Sequence, residues 1–414
     1  YCSKVTAFPN GGAPKIPAPP TPALELAAKP PSFLDEIQIE VERPVFVARE
    51  NELAQLGRFL DRVLAGQGQV VFVTGEVGSG KTALIQEFSW RAQEAHNDLI
   101  VVSGNCNAYS GIGDPYLPFR EILSLLSGDV EARWAAGAMT RGHARRLWNT
   151  LPLTAQALVE AGPDLIDTFL PRAALLERVT QSSPDQADWL VRLKELVGRK
   201  LTGQATPSSP QSDLFEQYTR VLQSLSRRVV LMVWVEDLQW SDRGSISLLF
   251  HLGRRVAGSR ILIIGSYRPE EIAIGRDGER HPLDQAVNEL QRDLGHITVN
   301  LGQAESRDFI DAFLDSEPNR LGNAFREMLF RQTCGQPLFT VELLRGLQER
   351  GDLVRDREGY WLEGPTLDWE TLPARVEAVP TLEWPASPSL SRLDAHAAFS
   401  RATSSGVRKP GTTR

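Results

Sequence analysis

Four short apolar runs punctuate the chain: Val70-Val71-Phe72-Val73, Leu99-Ile100-Val101-Val102, Val229 to Val235, and Ile261-Leu262-Ile263-Ile264. Each is continuous instead of alternating, which is the pattern of a strand covered on both faces. Between them the apolar positions fall at helical spacing. Leu53, Leu56, Phe59, Leu60, Val63 and Leu64 mark one helix face, and Leu84, Ile85, Phe88 and Ala92 a second. Ile246, Leu249, Leu252 and Val256 mark a third. Strands alternating with helices predict an α/β fold with a doubly wound parallel sheet.

The spacing also predicts how the chain is divided. Residues 1–42 carry Pro14, Pro17, Pro19, Pro20, Pro22, Pro30 and Pro31 with few large apolar groups, so they read as a linker that cannot offset the entropy of folding alone. An α/β domain is expected over 43–295. Its second and third strands are separated by a stretch of about 115–225, too long for a plain loop and helical in pattern. Within it, Thr202 to Ser212 is rich in Ser, Pro, Thr and Gly and reads as mobile. Past the strand-like Ile297-Thr298-Val299, helical patterns near 304–315, 320–333 and 338–350 predict a smaller helical domain over 296–378. There Leu353-Val354-Arg355 and Tyr360-Trp361-Leu362 flank a turn-rich sequence that could close a hairpin like the wing of a winged helix. From 379 to 414 prolines interrupt any helix and the tail turns basic and irregular.

The candidate chemistry sits at the ends of these strands. Directly after the first run comes Gly75-Glu76-Val77-Gly78-Ser79-Gly80-Lys81-Thr82, followed by Ala83 and the second helical face. Such a loop turns successive backbone N–H groups inward, and glycine permits the curvature without a side chain blocking the phosphates. Lys81 would lie against the β- and γ-phosphates, Thr82 would give its hydroxyl to Mg²⁺, and the helix start adds its positive dipole end. At ordinary residue frequencies the pattern arises by chance in about one chain in seventy of this length.

A polyphosphate with a metal also needs carboxylates at a neighbouring strand end, and Glu236 and Asp237 follow the third run there. One would hold Mg²⁺ through water and the other would polarise the attacking water; both assignments stay open. Asp242 precedes a helix and reads first as its cap. Arg268 follows the fourth run, where its guanidinium could meet a γ-phosphate. Arg254 and Arg255 end a helix and could act on a neighbouring subunit, although basic residues suit any helix C-terminus.

Composition narrows the classes. The formal charge of −7 gives no sign of a nucleic-acid surface. Cys2, Cys106 and Cys334 lack the spacing of a disulfide framework or a zinc site, and a reducing cytoplasm fits them. No apolar run reaches the roughly 18 to 20 residues of a membrane span. The six histidines lack the i, i+4 spacing of a metalloprotease helix, and there is no GxSxG turn. Trp90, Trp134, Trp148, Trp189 and Trp234 read as packing aromatics. The chain begins with Tyr1 instead of Met, from which a fragment of something longer is expected.

Over about 43–375 the chain resembles the AAA-like ATPases of bacterial signalling proteins, a group related to origin-recognition ATPases and to the STAND class of nucleotide-switch regulators. Phe46-Val47-Ala48-Arg49-Glu50 is similar to their opening FVGRE box, with Ala48 in place of the usual Gly. Next come the phosphate loop (Walker A), the acidic strand end Glu236-Asp237-Leu238-Gln239-Trp240-Ser241-Asp242 (Walker B) and the sensor-like Gly265-Ser266-Tyr267-Arg268. Gly335-Gln336-Pro337-Leu338-Phe339 is similar to the family's GxP motif. The resemblance implies ATP or ADP with Mg²⁺ between two domains, Arg49 near the nucleotide, Pro337 near the adenine and Arg268 sensing the γ-phosphate. It implies a slow ATPase that resets a switch in signal transduction or transcription regulation, working through protein partners or self-association. Rival readings are a ring-forming motor and a nucleotide-binding scaffold without useful hydrolysis. After Leu372-Pro373-Ala374-Arg375 the expected helical continuation gives way to a Pro-, Ser- and Arg-rich end, as a truncation or frameshift would produce.

Overall fold

The computed structural model describes residues 31–35, 45–107, 115–182, 188–201, 210–274, 280–302, 307–365, 367 and 369. Five parallel strands form its central sheet: β1 (Gln69–Thr74), β2 (Leu99–Asn105), β3 (Val230–Glu236), β4 (Ile261–Tyr267) and β5 (Thr298–Asn300), in the order β2-β3-β4-β1-β5. Every neighbouring pair is parallel. The third strand runs one residue later than its apolar run: Val229 lies outside it, and Glu236 is its last residue, paired with Asn105.

Alternate strand residues face opposite layers, which is why the runs are continuously apolar. Val71, Val73, Leu99, Val101, Val230, Met232, Leu262 and Ile264 pack against Leu53, Leu56, Phe59, Leu60 and Val63 of helix Glu50–Leu64. The same layer holds Leu84, Ile85, Phe88 and Ala92 of helix Lys81–Ala95. Val70, Phe72, Ile100, Val102, Leu231, Val233, Ile261 and Ile263 face the other layer. Helices Leu117–Leu126, Arg141–Ala161, Gln211–Ser226, Arg243–Gly253 and Pro282–Leu294 cover that side.

Between β2 and β3 the described residues are almost wholly helical. Of the Ser/Pro-rich stretch expected to be mobile, residues 202–209 lie outside the described residues. Gln211 and Ser212 instead open a regular helix, because the apolar stripe Phe215, Tyr218, Val221, Leu222 and Leu225 begins directly after them.

Of the proline-rich stretch, only residues 31–35 are among the described residues. Residues 31–35 dock on the inserted helices: Leu34 is 2% exposed, the Phe33 ring meets Trp148 edge-on, and Trp134 Nε1 donates to the Phe33 carbonyl at 3.1 Å. Two apolar side chains suffice here because the inserted helices supply a preformed tryptophan surface.

Helices Arg307–Asp315, Asn323–Thr333 and Pro337–Arg350 enclose a separate apolar cluster around Ile310, Phe325, Leu329, Leu343 and Leu347. Strands β6 (Leu353–Arg355) and β7 (Trp361–Glu363) pair antiparallel beside it. The irregular tail expected over 379–414 lies outside the described residues. Among the described residues no helix is long and apolar enough to cross a membrane.

Candidate functional site

The loop after β1 and the ends of β3 and β4 meet at the carboxyl edge of the sheet, and their charges converge there. Gly78 and Gly80 have φ of +75° and +89°. This is the left-handed region that lets the loop curl before helix Lys81–Ala95 begins. Lys81 is buried and bends back across the loop, donating from Nζ to the carbonyls of Gly75 (2.8 Å) and Glu76 (2.7 Å). Burial, followed by the nearby Arg268 charge, brings its pKa down to about 8, against the opposing pull of Asp237, Glu270 and Glu271. One ammonium thus feels the loop, β3 and β4 together.

The next residue separates the two acids. Thr82 Oγ1 donates to Glu236 Oε1 at 2.5 Å across 154 residues of sequence. Asp237 does not continue the strand: its φ of +56° turns the backbone into the short 3-10 turn Leu238–Trp240, and its N–H donates to Ser266 Oγ of β4 at 3.3 Å. Glu236 therefore faces the threonine hydroxyl, while the Asp237 carboxylate faces Gln239, whose Nε2 donates to Oδ1 at 2.8 Å.

Arg268 ends the same edge from β4. Its Nη1 pairs with Glu271 at 2.5 Å, and its buried Nε has no hydrogen-bond partner. Asp242 caps helix Arg243–Gly253, accepting from Ser245 N–H at 2.9 Å and also from the Ser245 hydroxyl. Arg254 pairs with Asp293 at 3.3 Å and Arg255 donates to the His251 carbonyl at 3.5 Å, so both have partners within the chain. Cys106, at the end of β2, is buried and its thiol is pushed up to about 12, first by burial, which makes it a poor nucleophile.

Two further segments close on the loop. Ala48 takes φ +58°, a conformation in which a Cβ costs about 1–2 kcal/mol. It delivers the buried Arg49, whose Nη2 donates to Ser79 O at 3.4 Å while Nη1 pairs with Glu52 at 3.0 Å. From the other side, Cys334 and Gly335 are both left-handed, with φ of +50° and +70°, and turn the chain so that the following residues land on the loop backbone. Gln336 Nε2 donates to Val77 O at 3.1 Å, and Leu338 N–H donates to Gly78 O at 3.3 Å. Pro337, the first residue of helix Pro337–Arg350, lies between these two contacts. A Cβ added to Gly78 would sit 2.6 Å from the Leu338 Cβ, so glycine is required there for contact as well as for curvature.

The donor set fits a magnesium-bound nucleoside polyphosphate. Backbone N–H groups at a helix start, the Lys81 ammonium and the buried, unpartnered Ser79 hydroxyl suit phosphate oxygens. Thr82 and Glu236 suit a hard cation. Among the described residues no group of three or more His, Cys, Asp and Glu side chains is arranged to hold a metal ion. Sequence reading passed over Gln239, Gln336 and Ser266 as contributors. The only sequence signal for Gln239 was an amide two residues beyond an acid, at a position the structure buries.

Comparison with known proteins agrees with this geometry. Residues 45–264, more than half of the chain, match the family described as the AAA ATPase domain, and the chain belongs to that family. Membership implies nucleotide binding, typically with Mg²⁺. The chain is also similar to an uncharacterized protein of Rhizobium meliloti (strain 1021), 26% identical over 261 residues. That match covers 63% of this chain and 22% of the relative's length, so the chain spans under a quarter of that protein.

Proposed function

We propose that this chain is an ATP-binding, slowly hydrolysing switch module of a signalling or transcriptional regulator. Nucleotide state would set how the α/β domain (43–295) and the helical domain (296–378) sit together. The observation that carries this reading is the double contact from Gln336 and Leu338 to the carbonyls of Val77 and Gly78. The loop that would grip the phosphates is the same loop that the second domain holds, so any shift in one is felt by the other.

In this reading the loop amides and Lys81 bind the β- and γ-phosphates, and Thr82 with Glu236 holds Mg²⁺, which supplies charge neutralisation. Asp237 takes a hydrogen bond from the attacking water, and Arg268 reads the γ-phosphate from β4. The water oxygen bonds to the γ-phosphorus as its proton passes to the Asp237 carboxylate, the bond to the β–γ bridging oxygen breaks with its electron pair left on ADP, and ADP and inorganic phosphate leave while the proton is released to solvent. Arg49, tied to Ser79, and Pro337 flank the nucleotide from the two sides.

Titration calorimetry with Mg-ATP and Mg-ADP tests the binding step. Wild type should bind both, Lys81→Ala should lose at least about tenfold in affinity while melting at a similar temperature, and Asp237→Asn should keep affinity but release phosphate more slowly. Unchanged affinity in the lysine variant would defeat the assignment.

A further inference from the structure

We infer that Gln239 is a positioning residue for hydrolysis, holding the Asp237 carboxylate in register with the end of β4. This rests on the reading of Asp237 given above. Gln239 is 4% exposed and its carboxamide is used at both ends: Nε2 donates to Asp237 Oδ1 at 2.8 Å and Oε1 accepts the Arg268 N–H at 3.3 Å. The orientation of the amide is chemically forced, because only its oxygen can accept from a backbone N–H and only its NH₂ can donate to an ionised carboxylate.

Three further features show that the turn is built to place this side chain. Asp237 adopts a left-handed backbone, and Ser266 Oγ accepts its N–H, so its backbone is fixed before its side chain is. Leu238 is fully buried against Gly265, where a Cβ would lie 2.6 Å from Leu238 Cδ1. The absent side chain on β4 makes room for the turn that carries Gln239. The amide therefore links the acid of one strand to the backbone of the arginine on the next, and a displacement of either is transmitted to the other.

Such a residue acts through Asp237, which fixes what its loss should do. It contributes nothing to gripping phosphates, so affinity for Mg-ATP should hold while the chemical step slows. Replacing it with glutamate keeps an acceptor for the Arg268 N–H but sets a second carboxyl against Asp237. Asp237 shares its surroundings with Lys81, which also feels Arg268, Glu270 and Glu271, with Cys106, which also feels Asp242, and with Glu236, its neighbour at the end of β3. When the introduced carboxyl holds a proton it can donate to Asp237 as the amide does; when ionised it repels it.

The experiment measures single-turnover phosphate release, Mg-ATP affinity and melting temperature in wild type, Gln239→Met, Gln239→Glu, Asp237→Asn and the Asp237→Asn/Gln239→Met double variant. Gln239→Met should slow turnover about 10- to 100-fold with affinity within about twofold of wild type. In the Asp237→Asn background it should have no further effect. Gln239→Glu should turn over more slowly than wild type at about pH 8, where an ionised carboxyl in place of the amide repels Asp237. A Gln239→Met variant turning over at the wild-type rate, or losses at the two positions that multiply independently, overturns the proposal. Should the methionine variant fail to fold, a Gln239→Glu variant that turns over at the wild-type rate at about pH 8 overturns it alone. A wild-type chain that binds Mg-ATP without releasing phosphate overturns the hydrolytic reading itself, and this role falls with it.

Discussion

Lys81 is poised between two charge states by its surroundings, and this gives the site a measurable proton linkage. Burial and the Arg268 charge hold its pKa at about 8, against the 10.5 of an ordinary lysine. A bound polyphosphate adds several negative charges within reach of Nζ and must raise that pKa again. The sign follows: where free Lys81 is partly deprotonated, binding takes up a proton. The uptake should therefore grow as the pH rises from about 7 to about 9, through the range in which free Lys81 loses its proton. Calorimetry in buffers of different ionisation enthalpy reads this directly. Equal uptake at pH 7 and pH 9 would mean that the lysine does not meet the phosphates.

At the scale of elements, the site depends on one strand yielding space to a turn. Gly265 lies in the middle of a wholly buried β4, where a β-branched residue would ordinarily be welcome. Its missing side chain is instead occupied by Leu238 and the Phe72 ring, at 2.6 and 2.8 Å from where a Cβ would stand. Gly265→Val should therefore destabilise the fold by about 1–3 kcal/mol by overpacking, and any protein that remains folded should turn over more slowly because the turn carrying Gln239 is displaced. Urea unfolding and phosphate release check both halves; a variant as stable as wild type would show that the turn moves freely. The same region marks how far sequence reading reaches. Val70 to Val73 and Ile261 to Ile264 announce their strands because burial on both faces demands continuous apolar side chains. The phosphate loop is legible because glycine, lysine and threonine are needed at fixed offsets along one stretch of chain. The Gln239 bridge and the Gln336 contact join residues 29 and 259 positions apart. They depend on strand order and backbone turns at Asp237 and Cys334 that no local pattern encodes. The docking of Phe33 and Leu34 was hidden for a related reason, since a proline-rich composition reports the cost of ordering a segment but not the surface waiting for it.

For the whole molecule, the consequential contact is the one that crosses between the sheet and the helical segment. Leu338 gives its backbone N–H to the Gly78 carbonyl, so opening that hydrogen bond requires the two regions to part locally. By linkage, a ligand that changes the loop must change the free energy of that opening by the same amount as opening changes the ligand's affinity. ATP and ADP differ at the γ-phosphate, which Lys81 and Arg268 would sense, and Lys81 is bonded to the Gly75 and Glu76 carbonyls of the loop that carries Val77 and Gly78. Hydrogen exchange at the Leu338 amide should accordingly differ between Mg-ATP and Mg-ADP; a coupling of about 1 kcal/mol corresponds to a roughly fivefold change in rate. Gln336→Ala removes the neighbouring contact to Val77 and should shrink that difference, while nucleotide affinity falls by less than about tenfold because no phosphate contact is lost. If the amide exchanges at one rate with either nucleotide, the helical segment is a static lid on the loop and does not report the state of the nucleotide. A fivefold difference that survives Gln336→Ala would instead locate the coupling in the Leu338 backbone contact alone.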